Sequence, residues 1–302
     1  MTKTDLERRL HGARDCEAAI AALAEYFSAH ELVFGHGTDN ASDEAFWLLR
    51  HLQRWRDDVD WSAPPEPAVL AAAAGLAARR VADRKPLAYL LGEAWFAGLA
   101  FGVDERVLVP RSPLAEVVER GFAPWCPLRP GDRLLDIGTG SGCIAITVAY
   151  YCPEVLVDAT DVSAHALEVA AANVARHGVG ERVRLYRADL FPSNDARYRV
   201  IVSNPPYLSS AGMAALPPEY RHEPSGALVA GPSGLEAAER ILRGAPARLA
   251  EGGAVFIEVG GGAEGFAAAH PRGPLTWLTF ERGGDGVFVL SAAELTEFLR
   301  AR

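Results

Sequence analysis

The sequence predicts an α/β fold in which strands alternate with helices and the sheet ends in an antiparallel hairpin, behind a small helical N-terminal domain and a connecting β-hairpin. Three observations predict it. From residue 5 to about 53 the chain is alanine-rich, with apolar residues at helical spacing through Ala19-Ile20, Leu23 and Tyr26-Phe27, and again through Phe46-Trp47 and Leu49. After Pro130-Gly131-Asp132, short β-branched runs alternate with helical stretches. The last two runs, 276–280 and 287–290, are separated by Glu281-Arg282-Gly283-Gly284-Asp285-Gly286, short enough for a hairpin that turns the last strand antiparallel to its neighbour. With 302 residues and 49% hydrophobic content, the chain is long enough for two domains with sizeable cores.

Composition excludes several classes of function. No run of about 18 apolar residues occurs, and Met1-Thr2-Lys3-Thr4-Asp5-Leu6-Glu7-Arg8-Arg9 lacks a signal-peptide core, so a cytoplasmic protein with no membrane partner is expected. Cys16, Cys126, Cys143 and Cys152 form no Cys-x-x-Cys pair and have no histidine at metal-ligand spacing, which predicts reduced thiols and no metal. The formal net charge of -9 argues against a surface that grips a phosphate backbone; no direct nucleic-acid binding is expected, and a neutral or basic partner is favoured.

In the helical part, Phe34-Gly35-His36-Gly37-Thr38-Asp39-Asn40 is a loop, and Ser42 or Asn40 caps the next helix, with Asp43 and Glu44 in its first turn. His36 has two readings, a partner-binding imidazole or a loop histidine bonded to backbone. Ser62-Ala63-Pro64-Pro65-Glu66-Pro67 connects to a further helix over 68–83. Residues 95–103 and 107–109 predict a hairpin around Asp104-Glu105-Arg106, whose far end, Pro110-Arg111-Ser112-Pro113, leads to the lip of a site. Arg111 there either orients a carboxylate or backbone segment or makes a surface salt bridge.

The chemistry lies in the second part. Strand 133–137 runs into Gly138-Thr139-Gly140-Ser141-Gly142 and an apolar helix over 143–151. A strand, a glycine-rich turn and a helix N-terminus make a nucleotide-cofactor cradle. The spacing Gly-x-Gly-x-Gly departs from the dinucleotide pattern, and Asp136 before the first glycine suits a cofactor carrying an ammonium rather than a pyrophosphate. Strand 155–160 delivers Asp161, placed for ribose hydroxyls, and a helix from 164 to 177 stops at Gly178. Strand 183–187 delivers Asp189, an acceptor for an adenine amino group, with Leu190 or Phe191 on the ring. Each acid alone has a competing reading as a loop acid or helix cap; three at successive strand ends beside a glycine turn point to a cofactor site.

The run Val200-Ile201-Val202 predicts a fourth strand that delivers Asn204-Pro205-Pro206-Tyr207 into the crevice. The prolines fix φ and donate nothing, so the Asn204 side-chain oxygen and the Pro205 carbonyl can each accept one proton of a planar NH2 group, with Tyr207 covering it. The plain alternative is a strand end with a rigid turn. A long loop with His222 and Glu223, for which structural salt-bridge roles compete with acid–base ones, leads to a helix over 236–249 and a fifth strand over 254–259.

Asp136-Ile137-Gly138-Thr139-Gly140-Ser141-Gly142, Asp161, Asp189 and Asn204-Pro205-Pro206-Tyr207, in that order, resemble the S-adenosylmethionine-dependent protein-glutamine N5-methyltransferases. Within that group, the segment 34–40, Arg111-Ser112-Pro113 and Glu219-Tyr220-Arg221-His222-Glu223-Pro224 resemble the branch acting on large-subunit ribosomal protein L-three rather than the release-factor branch. The resemblance implies a Rossmann-like class I methyltransferase sheet of seven strands, the last antiparallel. It implies a helical substrate-recognition domain over 1–93, a hairpin linker over 94–113 and a methyltransferase domain over 114–302. It further implies S-adenosylmethionine on Asp136, Gly138, Thr139, Gly140, Ser141, Gly142, Asp161, Asp189, Leu190 and Asn204, with Asn204, Pro205, Pro206 and Tyr207 clamping a glutamine of the ribosomal protein. Catalysis falls to Asn204, Pro205 and Tyr207, and Arg111 borders the substrate. Rival expectations are a nucleic-acid adenine methyltransferase, which uses the same amino-group chemistry on a flipped base, a cofactor-binding assembly factor, and a dinucleotide oxidoreductase.

Overall fold

The computed structural model describes residues 1–54 and 60–301, which form two compact units, Met1–Glu93 with Pro217–His222, and Ala94–Leu216 with Glu223–Arg302. The first holds α1 (Lys3–His11), α2 (Cys16–Ser28), α3 (Ala41–Gln53), α4 (Pro67–Asp83) and α5 (Leu87–Leu91). Asn40, not Ser42, caps α3, its Oδ1 accepting from the Asp43 N–H at 2.9 Å. His36 is buried with its ring centroid 4.4 Å from that of Tyr220, in the same unit. Among the described residues no helix is long and apolar enough to cross a membrane.

The hairpin comes earlier than the sequence suggests. Its strands are β1 (Glu93–Phe96) and β2 (Leu99–Gly102), and the turn is Ala97-Gly98, with φ of +49° and +76°. Two successive positive φ values match the twist of a hairpin, but alanine is no turn signal, so the apolar run conceals the bend. Asp104-Glu105-Arg106 forms a separate turn closed by the Val107 N–H on the Asp104 carbonyl at 3.1 Å.

After α6 (Leu114–Glu119), the chain lays down β3 (Arg133–Ile137), α7 (Cys143–Tyr151), β4 (Leu156–Asp161), α8 (Ala164–Arg176), β5 (Val183–Arg187) and β6 (Tyr198–Ser203). Then follow β7 (Leu208–Ser209), α9 (Ser210–Ala214), β8 (Val229–Gly231), α10 (Glu236–Gly244), β9 (Leu249–Glu258), α11 (Ala263–Ala269), β10 (Thr276–Trp277), β11 (Val287–Ser291) and α12 (Ala292–Arg300). Seven strands make one sheet in the order β10-β11-β9-β6-β3-β4-β5. The pairs among β5, β4, β3, β6 and β9 are parallel, whereas β11, the last strand, is antiparallel to both β9 and β10. Apolar layers cover both faces: Ile144, Val148 and Phe256 belong to one, Ile241, Leu242 and Phe298 to the other.

Three boundaries differ from expectation, the first being the strand expected over 276–280, which is confined to Thr276–Trp277. The helix predicted over 236–249 ends at Gly244, where a β-carbon would lie 2.4 Å from the Phe191 ring, and Pro246 cannot donate to a helical ladder. The strand expected over 254–259 accordingly starts at Leu249. α12, which the sequence reading leaves out, has a capping box between Ser291 and Glu294.

Candidate active site

Parallel register builds the site. Ile137 of β3 lies opposite Thr160 of β4 on one side and Ser203 of β6 on the other, and Ser203 lies opposite Ile257 of β9. The next residues along these four strands are Asp161, Gly138, Asn204 and Glu258. They therefore stand in one row along the carboxyl edge of the sheet, on strands about 4.8 Å apart. The chain leaves β3 for β4 and β5, then returns to place β6 on the opposite side of β3. Such a reversal opens a crevice at the strand ends, the usual ligand position in open α/β sheets.

Around the glycine turn, the Gly138 and Thr139 N–H groups donate to the Thr160 carbonyl, both at 2.9 Å, and the Gly140 N–H donates to Asp161 Oδ2 at 3.0 Å. Gly138 (φ +73°) and Gly140 (φ +54°) face open space where β-carbons would project. Gly142 differs: a β-carbon there would lie 3.0 Å from Ile146 and 3.3 Å from Ala170, so this glycine packs α7 against α8. Thr139 and Ser141 are also buried, the Thr139 hydroxyl donating to Asp136 Oδ2 at 2.6 Å and the Ser141 carbonyl accepting from Asn173 at 2.9 Å.

Asp136 is 1% exposed. Its Oδ2 also accepts from the Ala145 N–H at 3.2 Å, while Oδ1 has no hydrogen-bond partner among the described residues. Burial pushes this carboxyl up to about 7, with Thr139 and Ala145 opposing and Asp161 adding to the rise. An unpartnered buried carboxylate oxygen beside two open glycines fits the ammonium of an amino-acid-bearing cofactor.

At the tip of β5, Asp189 is exposed, and Arg240 Nη2 donates to its Oδ2 at 2.7 Å, so the carboxylate that the sequence suggests for an adenine amino group holds an ion pair. Leu190 beside it takes a φ of +74°, held by the Thr160 hydroxyl on its carbonyl at 2.7 Å. Left-handed backbone at a non-glycine residue costs about 1–3 kcal/mol and concentrates at ligand sites.

At the other end of the row, Asn204 neighbours Glu258 on the adjacent strand and favours its ionised form. Glu258 is 5% exposed and accepts from the Ser112 hydroxyl. Burial pushes its carboxyl up to about 7, against Ser112, Arg111 and Asn204, with Asp285 adding to the rise. Pro205 is buried, and Pro206 and Tyr207 are half-buried. The Tyr207 ring lies over Gly260, whose β-carbon would come within 2.6 Å of it, and a β-carbon on Gly234 would lie 2.5 Å from the Tyr207 carbonyl oxygen. Only backbone fits at either position.

The Arg111 guanidinium is bidentate to Glu223, at 2.5 and 2.8 Å, and donates to the Val109 carbonyl at 3.2 Å; the Val109 N–H donates to the same carboxylate at 3.0 Å. Glu223 is thus fixed structurally rather than poised as a base. In the helical unit, His222 Nε2 donates to the Asp83 carbonyl at 3.0 Å. Glu258 is the site residue that sequence reasoning missed. The signal was present, an acid closing an apolar run as Asp136 does, but continuing the run to Val259 hid it inside a strand.

The family described as "Methyltransferase small domain" matches residues 124–215, which contain the glycine turn, Asp161, Asp189 and Asn204. The ribosomal protein uL3 glutamine methyltransferase of Bordetella pertussis is 45% identical over 89% of this chain and 92% of its own. The proteins of that name from Bradyrhizobium diazoefficiens and Xylella fastidiosa (strain Temecula1) are 44% and 43% identical, over 89% and 90% of this chain and 88% of each of theirs. The matches extend over about nine-tenths of the chain, far beyond the motifs at the sheet edge, and the chain belongs to the ribosomal protein uL3 glutamine methyltransferase family.

Proposed function

We propose that this S-adenosylmethionine-dependent methyltransferase transfers a methyl group to the side-chain amide nitrogen of a glutamine in ribosomal protein uL3, in the cytoplasm. One observation carries the proposal: the register sets Asn204 beside Gly138, so an amide acceptor and an open glycine turn share one crevice. Asp136 and the Gly138–Gly140 turn would hold the amino-acid portion of the cofactor, Asp161 its ribose, and the Asp189–Leu190 tip its adenine. When bound, S-adenosylmethionine supplies an electrophilic methyl group on a sulfonium.

A glutamine amide nitrogen is a poor nucleophile because its lone pair is delocalised into the carbonyl. Asn204 Oδ1 and the Pro205 carbonyl would each accept one N–H of that amide, fixing the nitrogen in line and favouring its pyramidalisation. Pro205 and Pro206 hold this geometry because their φ angles are fixed. Tyr207 walls the opening, held by Gly260 and Gly234. The surplus proton becomes strongly acidic once the C–N bond forms, so water or a carbonyl takes it. Arg111 shapes the lip through Glu223. The helical unit selects the partner, since the clamp grips a single side chain.

Labelled S-adenosylmethionine incubated separately with purified uL3, a release factor and DNA tests this, with mass spectrometry locating the methyl group. One methylated glutamine on uL3 is expected. Label in the release factor alone would move the chain to the sister branch, and label in adenine alone would overturn the glutamine clamp.

A further inference from the structure

The side chain of Asn204 has two nearly isosteric ends, and only one is useful. Oδ1 accepts from a substrate amide; the same group turned by 180° would oppose its own N–H donors to those of the substrate. Nothing in the shape of an asparagine selects between the two. A partner that can only accept hydrogen bonds does, and an ionised carboxylate is such a partner.

We propose that Glu258 is the positioning residue for methyl transfer: its carboxylate binds Asn204 Nδ2 and thereby keeps Oδ1 turned toward the substrate amide. This rests on the clamp role of Asn204 given above. The supporting geometry comes from two directions. First, Ser203 pairs with Ile257, so the residues that follow, Asn204 and Glu258, are neighbours on adjacent parallel strands. Second, the polarity of the hydrogen bonds behind Glu258 runs one way. The Leu114 N–H donates to Ser112 Oγ at 3.1 Å, and the Ser112 hydroxyl donates to Glu258 Oε2. With its single proton given to Glu258 Oε2, Ser112 fixes that oxygen as an acceptor. The carboxylate is left to accept from Asn204.

The charged groups that act on Glu258 are Arg111, which favours its ionised form, and Asp285, which opposes it. Protonated Glu258 would carry an O–H donor on the oxygen not held by Ser112, which would allow Asn204 to turn over. The rate of the chemical step therefore rises as Glu258 ionises, across pH values around 7, to which burial raises it.

The test compares Glu258→Gln, Ser112→Ala and Asn204→Ala in the full-length protein, by single-turnover methyl transfer to purified uL3 at saturating cofactor. Thermal midpoint and cofactor Kd are measured in parallel. For Glu258→Gln, a fall in rate of roughly ten- to a hundredfold is expected, because a misturned clamp loses its alignment. Cofactor Kd and thermal midpoint should hold, and the inflection of rate near neutral pH should vanish. Ser112→Ala should lose less rate and keep an inflection, shifted upward because a hydrogen bond to the carboxylate is gone. Wild-type rate in Glu258→Gln beside an inactive Asn204→Ala would overturn the proposal while sparing the clamp. Full rate in Asn204→Ala would remove the clamp itself. A Glu258→Gln loss that tracks a falling thermal midpoint or weakened cofactor binding would make the residue structural and overturn the proposal equally.

Discussion

Two regions of the molecule bury carboxylates, and they give them different partners. In the helical unit Glu44 and Glu219, 3% and 0% exposed, surround the wholly buried Arg80. Arg80 Nε meets Glu44 Oε1 at 2.7 Å, Arg84 Nη2 meets Glu219 Oε1 at 2.8 Å, and the Val33 N–H donates to the same oxygen at 3.1 Å. Burial alone would raise the Glu219 carboxyl, but the Val33 N–H, Arg84 and Arg80 outweigh it and hold the group below its ordinary value, whereas at Glu44, whose cation partner is Arg80, burial still wins and the carboxyl is raised. At the sheet edge, Asp136 and Glu258 are buried as deeply, yet their hydrogen-bond donors are neutral: a threonine hydroxyl and a backbone N–H for one, a serine hydroxyl for the other. Both are pushed up to about 7. A buried acid closed by arginines is completed architecture. One left among neutral donors keeps electrostatic capacity for a ligand, which is why such groups mark functional sites.

The largest effect that would break this comparison belongs to the helical unit. Arg80→Ala leaves two buried carboxylates without their shared cation and should cost about 3–5 kcal/mol of stability, measured by urea unfolding. Cofactor affinity of the molecules that remain folded should not change. A cost under about 1 kcal/mol, as for an exposed pair, would mean that the cluster is not what holds these helices together.

Asp136→Asn should do the reverse. Replacing a buried charge that lacks a cation by a neutral amide leaves unfolding stability near neutral pH unchanged or higher, while cofactor affinity by calorimetry falls about tenfold or more, the loss of a charge-assisted hydrogen bond. Unaltered affinity would remove Asp136 from the cofactor site. A pH series sharpens the contrast. The Asp136 carboxyl is raised from 3.8 to about 7, so the ligand-free protein binds a proton that the unfolded chain has released. Its contribution to stability is full below about pH 4 and is lost as pH rises through about 7. Glu219, held low, contributes above its ordinary value of 4.5 and loses that contribution as pH falls through its lowered pKa. A ligand ammonium needs ionised Asp136, so affinity should climb with pH and level off above about 7, with proton release on binding near neutrality. Asp136→Asn should flatten that profile, and a pH-independent wild-type affinity would contradict the assignment.

The sheet-edge region was largely legible in the sequence and the helical cluster was not. Asp136, Asp161 and Asn204 each stand at or just past the end of a short, mostly apolar run, and an α/β sheet sends such ends to one edge, so their types and positions implied a shared crevice. Glu258 obeyed the same rule but was absorbed into an overlong strand. The side-chain orientation of Asp189 was not legible, since its partner Arg240 lies 51 residues on. Still less visible was Glu219, which joins a unit whose Val33 and Arg80 stand 186 and 139 residues away. No periodicity carries that information. The Ala97-Gly98 turn escaped for a local reason: a positive φ at alanine leaves no trace in composition.

The smallest expected effect isolates how the clamp is placed. Where the helical cluster is set by ion pairs, Tyr207 is set by close backbone approach: a β-carbon on Gly260 would sit 2.6 Å from its ring, and one on Gly286 would sit 2.2 Å from the Gly260 carbonyl oxygen. Gly260 itself has a φ of +46°. Gly260→Ala therefore combines about 1 kcal/mol of backbone strain with displacement of the Tyr207 ring. Methyl transfer should fall severalfold. Asp136 and the glycine turn, on β3, are untouched, so cofactor Kd should hold. Tyr207→Ala should abolish the difference between Gly and Ala at 260, because no ring remains to be displaced. If Gly260→Ala slows the wild type and the Tyr207→Ala background equally, the close approach is a packing accident and the clamp is positioned from its hydrogen-bonded side alone.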